Sequence, residues 1–163
     1  MKTNISLAAL ILTAGVLSMQ PAPAQSNVNL HEQTKQNLST AMHGEAFAYA
    51  KYMAYAEQAR KSGDSALANL LEKTAKTERL EHFAEEARLA GLVGSNAANL
   101  KDAIKGEAYE TETMYREFAE QAEQAGDHAA AQRFEEIRKD EAKHRDAFTA
   151  ALNKLEKKNQ GDQ

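Results

Sequence analysis

From residue 24 to Gln163 the chain contains no proline; its only two are Pro21 and Pro23. For 140 consecutive residues, therefore, no ring removes a backbone donor or forces a kink. That favours long helices and argues against a turn-rich β fold. Alanine supplies much of an apolar fraction of 42%, enough to bury a core, and 27% of the residues are charged. The fold class implied is all-α. With no cysteine, structural disulfides, Cys-ligated zinc, iron–sulfur clusters and thiol nucleophiles are excluded. A net charge of −4 points away from a nucleic-acid partner.

Residues 1–24 read as a secretory signal. Lys2 gives a positive start, Ile5 to Leu17 form an apolar run, and Ala22-Pro23-Ala24 is a small-x-small cleavage pattern. The run falls short of the ~20 apolar residues that a comfortable membrane span needs. The expectation is an exported, periplasmic protein of residues 25–163, with no membrane attachment after cleavage.

Turn chemistry breaks the rest at Ser62-Gly63-Asp64, at Gly91 to Asn96 and at Ala125-Gly126-Asp127. Four helices are expected, over about 30–61, 65–90, 97–124 and 128–157. The halves repeat at an offset of 63: AEQA at 56–59 returns at 119–122, Gly63-Asp64 as Gly126-Asp127, Tyr52 as Tyr115, Glu72 as Glu135 and Glu78 as Glu141. The pattern is that of a duplicated helix hairpin.

Each helix carries an inner stripe at steps of three and four. The stripes are Ala41, Glu45, Ala48, Tyr52, Tyr55, Ala59; Leu67, Leu71, Thr74, Glu78, then Glu81 or His82; Leu100, Ala103, Glu107, Glu110, Met114, Phe118; and Ala130, Phe134, Ile137, Glu141, His144, Phe148. Acids therefore stand on the inner stripe of all four helices. Counted from the turn glycines, Glu45, Glu78, Glu81, Glu107, Glu110, Glu141 and His144 lie at one level, ~22–29 Å along the helices. They are expected to meet in one cluster. Ionised carboxylates cannot share a dry interior uncompensated, and no Arg or Lys stands on these stripes at that level. Metal cations remain: carboxylates with one or two His are a ligand set for a pair of iron ions, manganese being the alternative.

At these residues the chain resembles the rubrerythrin group of ferritin-like diiron proteins. GEAFAYAKY at 44–52 matches the first-helix motif with Glu45, and GEAYETETMY at 106–115 the third-helix motif with Glu107 and Glu110. DEAKH at 140–144 matches the fourth-helix Glu-x-x-His with Glu141 and His144, and Glu78 matches the second-helix ligand. The resemblance implies a ferritin-like four-helix bundle of two related antiparallel hairpins. The family usually has Glu-x-x-His in helix two as well. Here that spacing from Glu78 lands on Glu81, the position favoured, with His82 one residue on as the alternative. In the family, this His and the second Glu of helix three exchange on one iron with redox state. The rubredoxin module, whose iron needs four cysteines, is missing, so electrons must come from a separate donor. Tyr52 and Tyr115 are candidates to hydrogen-bond the ligand carboxylates, while His31, His43 and His128 read as surface residues.

The resemblance implies peroxide reduction at a diiron centre, with hydrogen peroxide or dioxygen as oxidant, in a homodimer. Ferritin-type iron oxidation, which needs a cage of many subunits, and a metal-free helical scaffold are the competing expectations.

Overall fold

The computed structural model describes residues 29–161, so the signal segment expected at 1–24 lies outside it. Every regular element among the described residues is helical. Helix α1 (Glu32–Lys61) is followed by α2 (Ser65–Thr77), a π-helical turn (Glu78–Phe83) and α3 (Ala84–Ala90), which run on as one rod. Next come α4 (Asn96–Tyr109), a second π-helical turn (Glu110–Met114) and α5 (Tyr115–Ala125), again continuous, and then α6 (His128–Gly161). The chain thus carries the four helices of a ferritin-like bundle, close to the bounds expected from its turns.

Two turns of one design build two hairpins. Gly63 and Gly126 take φ values of +84° and +83°, left-handed conformations that a side chain disfavours. This lets the Asp64 N–H donate to the Ala59 carbonyl and the Asp127 N–H to the Ala122 carbonyl, each at 2.9 Å. The carbonyls left over at the helix ends are satisfied in this way. Asp64 then starts α2, its carboxylate accepting from the Leu67 N–H at 2.9 Å.

In the first hairpin α1 lies along α2, the first π turn and α3; in the second α6 lies along α4, the second π turn and α5. Alanines make the contact: Ala56, Ala59, Ala68, Ala75 and Ala87 are buried in the first, Ala119 and Ala131 in the second. Small side chains let the helices approach closely. Ion pairs tie each hairpin across, Arg60 to Glu72 at 2.6 Å in one, Arg145 to Glu112 and Lys101 to Glu156 at 3.3 Å in the other.

Among the described residues, the two hairpins of one chain do not touch. The inner stripes, expected to close around one cluster, close pairwise instead. Consistent with this, no large side chain among the described residues is fully buried.

Gly126→Ala should cost about 1 kcal/mol or more of stability, because alanine is strained at this φ and gives no new contact. The urea midpoint of the purified chain reads the loss.

Candidate metal centre

Two groups of metal-ligating side chains gather, one per hairpin, with half-buried carboxylates and exposed histidines. Glu45, Glu78 and His82 each offer one ligand atom, all within 4.8 Å of one another, and Glu107, Glu141 and His144 do the same. The groups match as repeats. His82 Nδ1 lies 2.8 Å from Glu78 and 3.9 Å from Glu45. His144 Nδ1 lies 2.7 Å from Glu141 and 3.7 Å from Glu107. Six of the eight residues singled out in the sequence, counting His82, thus gather as two triads rather than one cluster.

His82, not Glu81, completes the first triad. Glu78 starts a π-helical turn, whose i→i+5 bonding takes more than four residues per turn. Position i+4 therefore stacks over Glu78, and i+3 falls short. Glu81 is exposed and lines an outer groove with Lys73, Lys76 and Leu80. The repeat explains the wide turn. Glu78 and Glu141 are 63 apart, but His82 and His144 are 62 apart, so the first half has one extra residue between ligands. A π turn absorbs one inserted residue without breaking the helix.

The second π turn follows the same rule in reverse. Glu45 and Glu107 are 62 apart, Tyr52 and Tyr115 63 apart, so here the second half holds the insertion. It falls between Glu107 and Tyr115, where residues 110–114 are π-helical. Glu110 lies in this turn, outside the triad. Its charge still helps to raise both the Glu107 carboxyl and the Tyr115 phenol.

Sequence reasoning missed Glu86. It stands one turn beyond His82, and its Oε2 is buried without a hydrogen-bond partner. Its negative charge is one of those raising Glu45. The signal was available in its i+4 spacing from His82.

The aromatic pair divides. The phenol of Tyr115 is pushed up by burial first and then by the charges of Glu110 and Glu141. Tyr52 instead packs on Tyr55 and under the Lys51 ammonium. Of the other histidines, His43 bonds its own helix at the Ser39 carbonyl and His128 pairs with Glu123; His31 precedes α1, and all three are exposed.

The electrostatics are those of cation sites. Burial first, then the charge of Glu78 and a hydrogen bond with it, holds the Glu45 carboxyl above its ordinary range. Burial first, then a hydrogen bond with Glu141 and its charge, does the same to Glu107. Glu107 Oε2, like that of Glu86, is buried without a hydrogen-bond partner. Oxygens and imidazole nitrogens without enough protons to share fit iron or manganese ions.

Similarity to known proteins agrees. The rubrerythrin family model matches residues 77–152. The chain is 35% identical over 137 residues to rubrerythrin of Porphyromonas gingivalis, covering 76% of this chain and 68% of that one. The chain belongs to the rubrerythrin family. It is also 33% identical over 136 residues to nigerythrin of Nitratidesulfovibrio vulgaris, covering 76% of this chain and 67% of that one. A solved structure of fully reduced, all-ferrous nigerythrin aligns over 93% of this chain and 81% of its own, at 30% identity and a TM-score of 0.40. Rubrerythrins are diiron proteins, and each of the two triads offers ligand atoms that could hold an iron ion.

Two outcomes follow. His82→Ala should lower iron retention at least about tenfold, whereas Glu81→Ala should leave it nearly unchanged; iron per chain after desalting decides. In metal-free protein at pH 7, Glu45→Gln and Glu107→Gln should each raise the thermal midpoint. Both carboxyls titrate above their ordinary 4.5 in the folded state, so folding is favoured while they hold protons and disfavoured as pH rises past the raised values. The gain should therefore vanish at pH 4, where folded and unfolded carboxyls alike are largely protonated.

Proposed function

We propose that this protein is an exported non-haem diiron oxidoreductase that reduces hydrogen peroxide with electrons from a separate donor. The observation that carries the reading is the matched pair of Glu–Glu–His triads, one on each repeat. When bound, a ferrous pair supplies two electrons, one per ion, to hydrogen peroxide, which with two protons becomes two waters.

The side chains divide the remaining work. Glu45, Glu78, Glu107 and Glu141 hold the cations and balance their charge, a hard-oxygen set suited to oxidised iron. His82 and His144 each complete one triad with a ring nitrogen. Glu110 and Glu86 are further carboxylates within electrostatic range, one per hairpin. The family's redox-linked exchange between a helix-two His and the second helix-three Glu has both members here, in His82 and Glu110. Each lies on or in a π turn, where the helix already departs from regular bonding. The Tyr115 phenol, raised by burial first and then by the charges of Glu110 and Glu141, is the candidate to hydrogen-bond a ligand carboxylate.

Two supports lie in the sequence. The charged start, apolar run and small-x-small pattern of residues 1–24 favour export to the periplasm. These 163 residues hold no cysteine for a rubredoxin-type iron, which favours a separate electron donor. No helix among the described residues is long and apolar enough to cross a membrane. The family resemblance favours a homodimer.

Anaerobic ferrous loading, desalting and titration with hydrogen peroxide test the reading. Two irons per chain and one peroxide consumed per two irons oxidised are expected, with iron retention falling in Glu141→Ala. Oxidation by dioxygen at the faster rate would make dioxygen the oxidant. No retained metal in a folded chain would leave a metal-free scaffold.

A further inference from the structure

The two triads belong to one centre in the reading above, yet the two hairpins that carry them do not touch within the chain. We propose that the dinuclear centre is assembled between two copies by exchange of hairpins, Glu45, Glu78 and His82 of one copy facing Glu107, Glu141 and His144 of the other. The proposal rests on the diiron reading for its ligands, but its geometry comes from the linker and the open faces.

The linker is residues 91–95, and it is both short and fixed. Ferritin-like bundles need one long crossover, because the second hairpin must begin again at the far end of the first. Residues 65–90 form a rod ~39 Å long. The step from Ala90 to Asn96 reaches ~20 Å at full extension. The chain therefore cannot return along its own first hairpin. Nor is the linker slack. The Leu92 N–H donates to the Ala87 carbonyl at 2.9 Å, closing the end of α3. Asn99 clamps Gly94 from the other side, accepting its N–H at 2.8 Å and donating to its carbonyl at 3.2 Å. Ser95 caps α4 by accepting from the Ala98 N–H. Only Val93 is outside these ties. Short, constrained hinges of this kind are where proteins exchange elements with a second copy.

The faces left open are complementary because they are repeats. Tyr55 and Phe118 occupy equivalent stripe positions, and both remain half-exposed, at 52% and 41%. Gly44 and Gly106, equivalent positions just before the first ligands, carry the cost of mid-helix glycine with open space where a Cβ would stand. A second copy offers what each face lacks: the other repeat, with the ligands at the same level. Exchange forms two bundles per dimer and leaves no triad unpaired.

Complementation tests this directly. Variant one is Glu45→Gln with Glu78→Gln, variant two Glu107→Gln with Glu141→Gln; glutamine keeps the helices, as circular dichroism checks. Each alone should hold little iron. Unfolded together and refolded, half the dimers are mixed, and each mixed dimer has one intact bundle, so about a quarter of the wild-type iron per chain should return. Wild-type loading with no recovery in the mixture would overturn the proposal. A wild-type chain that binds no iron would instead sink the diiron reading, and the exchange is then decided without metal. For that, Ala50→Cys/Lys143→Cys is spin-labelled in this otherwise cysteine-free chain. A bundle-width distance between the labels should be present in the labelled dimer and disappear on co-refolding with excess unlabelled chain. A short distance that survives dilution, or a monomer by light scattering, would overturn it.

Discussion

Repulsion among carboxylates at one level of the helices is the constraint on which the rest of this structure depends. Helices rich in alanine pack closely, and their inner stripes would be dry if they were apolar throughout. Instead Glu45, Glu78, Glu107 and Glu141 stand half-buried on those stripes, and burial raises Glu45 and Glu107 before any neighbour is considered. Within each hairpin a histidine ring nitrogen stands against two acids, 2.8 Å from Glu78 in one and 2.7 Å from Glu141 in the other. The full solution needs cations, and cations bridging both triads would also hold the hairpins together. Metal binding and assembly are thus two aspects of one charge balance.

The modest core follows from the same arrangement. Alanine contacts and a few crossing ion pairs hold each hairpin, while Tyr55 and Phe118 stay half-exposed on the stripes that would meet. A two-helix unit has little apolar surface to bury, and small units generally need a metal or a partner to become stable. The fixed linker decides where that partner comes from. It separates the hairpins instead of folding one back on the other, so in the proposed exchange the same five residues that end α3 and start α4 would also set the assembly.

Much of this is legible in the sequence because helix and turn signals are local. The proline-free stretch, the Gly-Asp turns and the periodic stripes place the helices and name Glu45, Glu78, Glu107, Glu141 and His144. What is missed depends on helix rotation. One inserted residue in a helix leaves amphipathicity nearly intact, so the π turns at 78–83 and 110–114 are invisible to periodicity, and Glu81 is favoured over His82. The change of repeat offset from 63 to 62 between ligands is the trace those insertions leave. Glu86 is overlooked because it has no acidic counterpart in the second repeat. Within one chain the acids gather as two groups for another reason: depth along a helix is readable from a residue count, but which helices face each other depends on the linker.

The most direct test of a centre built from two half-sites is the iron–iron distance in the loaded protein, measured by X-ray absorption. An iron–iron scattering path at about 3.5–4 Å, the range of two-metal sites, is predicted. Two irons per chain with no such path would mean that each triad binds its metal alone, and would contradict the account.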